Sequence, residues 1–246
     1  MAVNPLPTAF IFPAYANPIL YPGFNIAAGV NPAALPLAQK TTAFQAAYTP
    51  ALESGYPNDF FGGLAVSKRS LGIGLGYIRN QTSYAGQTTT TQSVFGGFGF
   101  SVDQVSLGVG LRDTYLANGF SPNVDIGLVV GDQKNARAVS FGAVFYNMDS
   151  LPQLDIGIGY GSIKKYTLEA NILLPPFRYL DSGYVFTVAA SLRAEILGLY
   201  FHTSYATNYK TFSHTVGIFA WLSDHVNVFA QFITSRTLSV GLSVDL

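Results

Sequence analysis

His202 and Ser204, in the stretch LYFHTSYAT, put an imidazole and a hydroxyl two residues apart, which is one face of a strand. An imidazole within reach of a hydroxyl can take its proton and make it a nucleophile. The chain has only three histidines and no cysteine. Disulfides and thiolate metal sites are therefore excluded. The carboxylates Asp125, Asp155, Glu169 and Asp245 fall singly along the chain, without the close spacing of a metal loop. No flanking sequence supports catalysis at His202. The residues thus assign no catalytic site, no metal and no cofactor.

The surrounding composition explains this poverty of reactive groups. Charged residues make up 11% of the 246 residues, against about 25% in ordinary soluble domains. The net charge is zero, so there is no basic footprint for nucleic acid. Hydrophobic residues reach 49%, yet no apolar run attains the ~18 residues of a membrane helix. The start, MAVNPLPTAF, lacks the basic and apolar regions of a signal peptide. For an exported protein, that reads as a mature chain with an added Met.

From Thr41 onward the hydrophobic period is two. It predicts about fourteen strands, at 41–52, 60–68, 71–80, 90–102, 105–116, 123–132, 137–148, 153–163, 166–174, 183–194, 196–206, 212–222, 225–234 and 236–246. Twelve would remain if two short segments were loop. One face of each strand is apolar, as in Val105, Leu107, Val109 and Leu111, or Leu238, Val240, Leu242 and Val244. The other is small or weakly polar, as in Gly72, Gly74 and Gly76, or Ser106, Gly108 and Gly110. A soluble sandwich would carry Lys, Glu and Arg on its outer face. The pattern fits an all-β, closed antiparallel transmembrane β-barrel with apolar side chains in lipid and small ones in the lumen. Phe60, Tyr77, Tyr115, Tyr166, Tyr184 and Tyr205 lie near strand ends, where interfacial girdles belong.

Two regions follow from this reading. Residues 41–246 form the barrel. Residues 1–40 are rich in Pro, Ala and aromatics, with Lys40 their only charge. They are too apolar for a disordered tail and too Pro-rich for central strands, so they are read as an irregular hatch inside the lumen. On the same register Arg112, Asp125, Asp155, Glu169, Arg193 and Asp245 project inward. They read as a ladder of lumen charges that fixes the hatch or hydrates the interior, or as a selectivity lining for a polar solute. The breaks after odd strands, such as ESGYPND and NQTSYAGQTTT, are longer than those after even strands, such as KRS and DQ. That asymmetry puts both chain ends on the periplasmic side.

Two motifs carry resemblances. The last strand, SVGLSVDL, resembles the C-terminal signal read by the barrel assembly machinery, with Ser239, Gly241, Val244 and Leu246 in place. Leu246 stands where the signal usually ends in an aromatic. GVNPAALP resembles the NPA element of the FadL family of outer-membrane transporters and the related PorV-like barrels, matched at Asn31, Pro32 and Ala33. In those families the element belongs to an N-terminal hatch inside a fourteen-stranded barrel. The resemblance implies passive uptake of small hydrophobic compounds across a Gram-negative outer membrane. Release would be lateral, beside an inward kink in the third strand, here at Gly72, Gly74 and Gly76. Family members are longer, and the loops here look too short for a capture groove. Two other readings remain: a PorV-like accessory barrel that binds a partner protein, and a narrow general porin. The expected partners are membrane lipid, a small hydrophobic ligand and the assembly machinery.

Overall fold

Alternation of apolar and small residues gives every segment one face for lipid and one for the interior. Lipid offers no hydrogen bonds to a sheet edge, so only closure satisfies the backbone. In the computed structural model, fourteen strands close on themselves. The structure describes residues 30–37, 42–50, 57–84, 87–116, 119–131, 139–146, 153–162, 166–174, 183–194, 196–207, 210–223, 226–233 and 237–245. The hatch assigned to residues 1–40 lies outside them, except for 30–37.

The strands are β1 (Thr42–Thr49), β2 (Pro57–Lys68), β3 (Leu71–Tyr84), β4 (Gln87–Val102), β5 (Val105–Leu116), β6 (Gly119–Gly131), β7 (Val139–Tyr146), β8 (Gln153–Ser162), β9 (Tyr166–Leu174), β10 (Val185–Ala194), β11 (Leu197–Ala206), β12 (Thr211–Trp221), β13 (Val226–Ile233) and β14 (Thr237–Asp245). Each pairs antiparallel with its sequence neighbour, and β14 closes the ring on β1, with Ala43 opposite Asp245. We call the rim where β1 begins and β14 ends the lower mouth.

Two lower turns are tight. Arg69–Ser70 and Asp103–Gln104 each join paired strands, and Arg69 and Asp103 take positive φ values of 55° and 51°. The upper ends differ from the sequence reading. NQTSYAGQTTT was expected to be loop, but β3 and β4 stay paired up to Tyr84 opposite Gln87. β5 and β6 stay paired up to Leu116 opposite Gly119. The run of Thr88–Thr91 is β-branched, which suits a pleated ladder better than a turn. The upper ends of these two strand pairs are therefore continuations of the wall.

The outward face carries an apolar band. On β3, Leu71, Ile73 and Leu75 are 46%, 56% and 59% exposed, while Gly72 and Gly74 between them are buried. A water-soluble surface would not present such a band on strand after strand. Aromatics gather at its edges. Phe60 lies beside Tyr77, and Tyr205 beside Phe212, at the upper end. Tyr160 lies beside Tyr166 at the lower end.

The inward face departs from the expectation in one respect. It is not only small and polar. Phe61, Phe95, Tyr200, Phe219 and Phe229 point inward and are almost wholly buried. With Leu35 and Ala189 they form one apolar cluster across the lumen. Three of the rings rest on a glycine of the neighbouring strand: Phe95 on Gly76, Phe219 on Gly198 and Phe229 on Gly241. A ring laid over a cross-strand glycine covers backbone that no side chain protects.

Candidate functional site: a helical turn seated on the inner wall

The residues Asn31-Pro32-Ala33 open a short 3-10 helix, Pro32–Leu37. Proline is preorganised for a first helical position, and asparagine is a strong cap before it. The Asn31 side-chain oxygen accepts a hydrogen bond from the Ala33 amide at 3.1 Å, and its carbonyl accepts one from the Ala34 amide at 3.0 Å. Asn31 through Pro36 are buried.

A row of glycines receives this turn. Gly72, Gly99, Gly108 and Gly127 stand on β3, β4, β5 and β6 in direct register, each opposite the next. A Cβ on Gly72 would lie 2.5 Å from the Leu35 carbonyl carbon. One on Gly99 would strike Pro32 and Pro36, one on Gly108 the Pro32–Ala33 peptide, and one on Gly127 the Asn31 side chain. The wall is bare here because another backbone lies on it, the close approach that glycine permits. On β5 the buried Ser106 hydroxyl donates a hydrogen bond to the Ala33 carbonyl. Ala33 also packs with Val129, Val144 and Tyr146. The seat lies near the lower mouth, since Gly72 is the second residue of β3.

The three glycines expected at a lateral opening have other neighbours. Gly72 holds the Leu35–Pro36 backbone, and Gly76 lies under the Phe95 ring. β3 is paired without a break to β2 from Leu71 through Thr82, and to β4 along its whole length. Both ladders of β3 are thus without a gap at the expected opening, and Gly74 sits within them. The physical reason is that the groups covering Gly72 and Gly76 come from inside the barrel and leave both hydrogen-bond ladders whole.

The inward charges separate into different settings. Arg112 and Asp125 form an ion pair at 2.8 Å across β5 and β6, just above the seat. Asp155 accepts two hydrogen bonds from the Asn171 amide, at 2.8 and 2.9 Å. Glu169 is inward and 1% exposed. Arg193 and Asp245 lie on β10 and β14, and their side chains fall outside the described residues. Arg112, Asp125, Asp155 and Glu169 all lie within electrostatic reach of the buried Tyr146 of β7. His202 faces the lumen at 3% exposure, and its Nδ1 makes no hydrogen bond to the protein. The base–hydroxyl contact with Ser204 through that nitrogen is absent. Among the described residues no group of three or more His, Cys, Asp or Glu is placed to hold a metal.

Sequence reasoning missed the inward aromatics. Their parity was available: Phe95 shares a face with Gly97 and Gly99, and Phe219 with Gly217. Counting from the glycines rather than from the apolar residues would have found them.

Comparison with known proteins agrees with the architecture. No protein-family description and no curated protein matches the chain. Among solved structures, the toluene transporter TbuX of Ralstonia pickettii is similar at TM-score 0.64 and 10% identity, over 89% of this chain and 93% of that one. The outer membrane protein Omp33 of Acinetobacter baumannii is similar at TM-score 0.52 and 10% identity, over 84% and 98%. A Rhodopseudomonas blastica porin variant follows at TM-score 0.49, 11% identity, 83% and 98%. The fold is that of a bacterial outer-membrane β-barrel.

Proposed function

We propose that this barrel carries small apolar compounds passively across the outer membrane, with the segment before β1 acting as its hatch. One observation carries the reading. The lumen is crossed by a buried aromatic cluster joined to the seated turn through Leu35, where a water-filled pore would keep its lining wet and charged. Apolar guests can exchange places with such side chains at little cost, whereas ions would have to shed their water. The similarity to a toluene transporter supports the same substrate class. β3 is intact, so the route opened by lifting Asn31–Leu37 leads to the lower mouth.

A second reading draws on the same packed lumen: an accessory barrel that binds a partner protein and carries nothing. Uptake separates the two. Gram-negative cells producing the protein are exposed to N-phenyl-1-naphthylamine, an apolar dye that an intact outer membrane excludes. A several-fold faster fluorescence rise than in cells without the protein is expected. No change, with folded barrel present and a protein co-purifying, would favour the accessory reading.

A further inference from the structure

Opposite the glycine seat, the inner wall carries a second row, four of whose six members are polar. Ser140 of β7, Gly159 of β8, Glu169 of β9, Ala189 of β10, His202 of β11 and Thr215 of β12 are in direct register, each opposite the next. All four polar members are at most 3% exposed. The Ser140 hydroxyl, His202 Nδ1 and the Thr215 hydroxyl make no hydrogen bond to the protein. One step toward the lower mouth, Tyr200 and Gln231 flank Gly217. The Tyr200 hydroxyl and Gln231 Oε1 are likewise buried without a protein partner. The contrast with neighbouring pairs is plain: Thr167 bonds Ser191 at 2.7 Å, and Thr49 bonds Ser239 at 2.6 Å. Gly159 and Ala189 space the larger residues of the row.

A buried polar group without a partner is costly, and several on adjacent strands are a binding surface in search of a guest. The guest's chemistry is bounded on both sides. A pure hydrocarbon would leave Ser140, His202 and Thr215 unsatisfied. A sugar or an ion would meet Phe219, Phe229 and the Tyr200 ring, which belong to the aromatic cluster. Nor is a spare cation offered at Arg112, which is paired with Asp125. What satisfies both surfaces is an uncharged molecule with an aromatic or aliphatic body and one hydroxyl, able to donate and to accept. We propose that the β7–β13 inner wall is a polar subsite selecting hydroxylated apolar compounds, phenols and related alcohols, over the parent hydrocarbons. The cargo hydroxyl supplies the partner that these groups lack within the protein. The proposal rests on the reading of the barrel as a carrier of apolar compounds.

The test uses the full chain in lipid nanodiscs and a matched pair of probes, 4-ethylphenol and ethylbenzene. Binding is followed by the fluorescence of Trp221, the only tryptophan, which packs edge-on against Phe219 with ring centroids 4.6 Å apart. Empty discs supply the correction for partition into lipid. The expected preference for 4-ethylphenol is about tenfold, the worth of one well-made neutral hydrogen bond. In His202→Leu, and in the isosteric Thr215→Val should the first not fold, the ratio falls toward one. Equal binding of both probes by the parent chain overturns the subsite and leaves the carrier reading standing. An unchanged ratio in both variants also overturns it. Binding of neither probe overturns both.

Discussion

Single glycines decide what lies on the lumen side of this wall. At Gly108 the neighbour is the Pro32–Ala33 peptide itself, so a side chain there has no flexible atom to push aside. Gly108→Val should therefore lift the turn from its seat while leaving the strand, which valine favours, intact. The chain has no cysteine, so a reporter is easily placed. Ala34, 6% exposed, is changed to Cys, and its modification by a thiol reagent is timed in detergent. Labelling should be slow in the otherwise unchanged chain and at least about tenfold faster with Gly108→Val, the factor that 1.4 kcal/mol of local opening produces. Equal rates would mean that the glycine row does not hold the turn.

Pairs of strands are the level at which the lumen is packed. Phe95 lies over Gly76 across β3 and β4, stacked with Phe61 at a centroid distance of 6.3 Å. Phe95→Ala should cost about 3 kcal/mol in urea unfolding from lipid vesicles, in the range for a buried aromatic. Gly76→Ala should destabilise the parent barrel but be nearly neutral once Phe95 is Ala, because the added methyl then meets no ring. Additive losses would contradict the pairing. The same level shows what was legible in the sequence. The strict alternation of SLGIGLGYI and its counterparts gave all fourteen strands and their lipid faces, because lipid imposes one rule on every outward residue. The interior imposes no such rule. An inward position can hold Gly72 under a backbone, Phe95 filling space or Asp125 in an ion pair, and parity alone does not choose among them. The Thr-rich end of β4 looks like a loop by its polar composition, yet its β-branched residues pair with β3. Asn31-Pro32-Ala33 stands out in the sequence only by a family resemblance, and its partners, the four glycines, lie on four different strands that only the fold aligns.

On the scale of the whole molecule, the inner wall combines three features. The seated turn lies on the glycines of β3 to β6, the aromatic cluster joins it to β11 to β13, and Ser140, His202 and Thr215 stand buried without a protein partner on β7, β11 and β12. Such a barrel should separate two fluxes that an aqueous pore would couple. The most direct measurement is the ion conductance of the purified barrel in a planar bilayer, made on a preparation that speeds dye uptake in vesicles. The account predicts no ohmic current above the lipid background beside clear dye transfer. A steady ohmic current, with dye transfer no faster than in protein-free vesicles, would contradict it and make the barrel a porin.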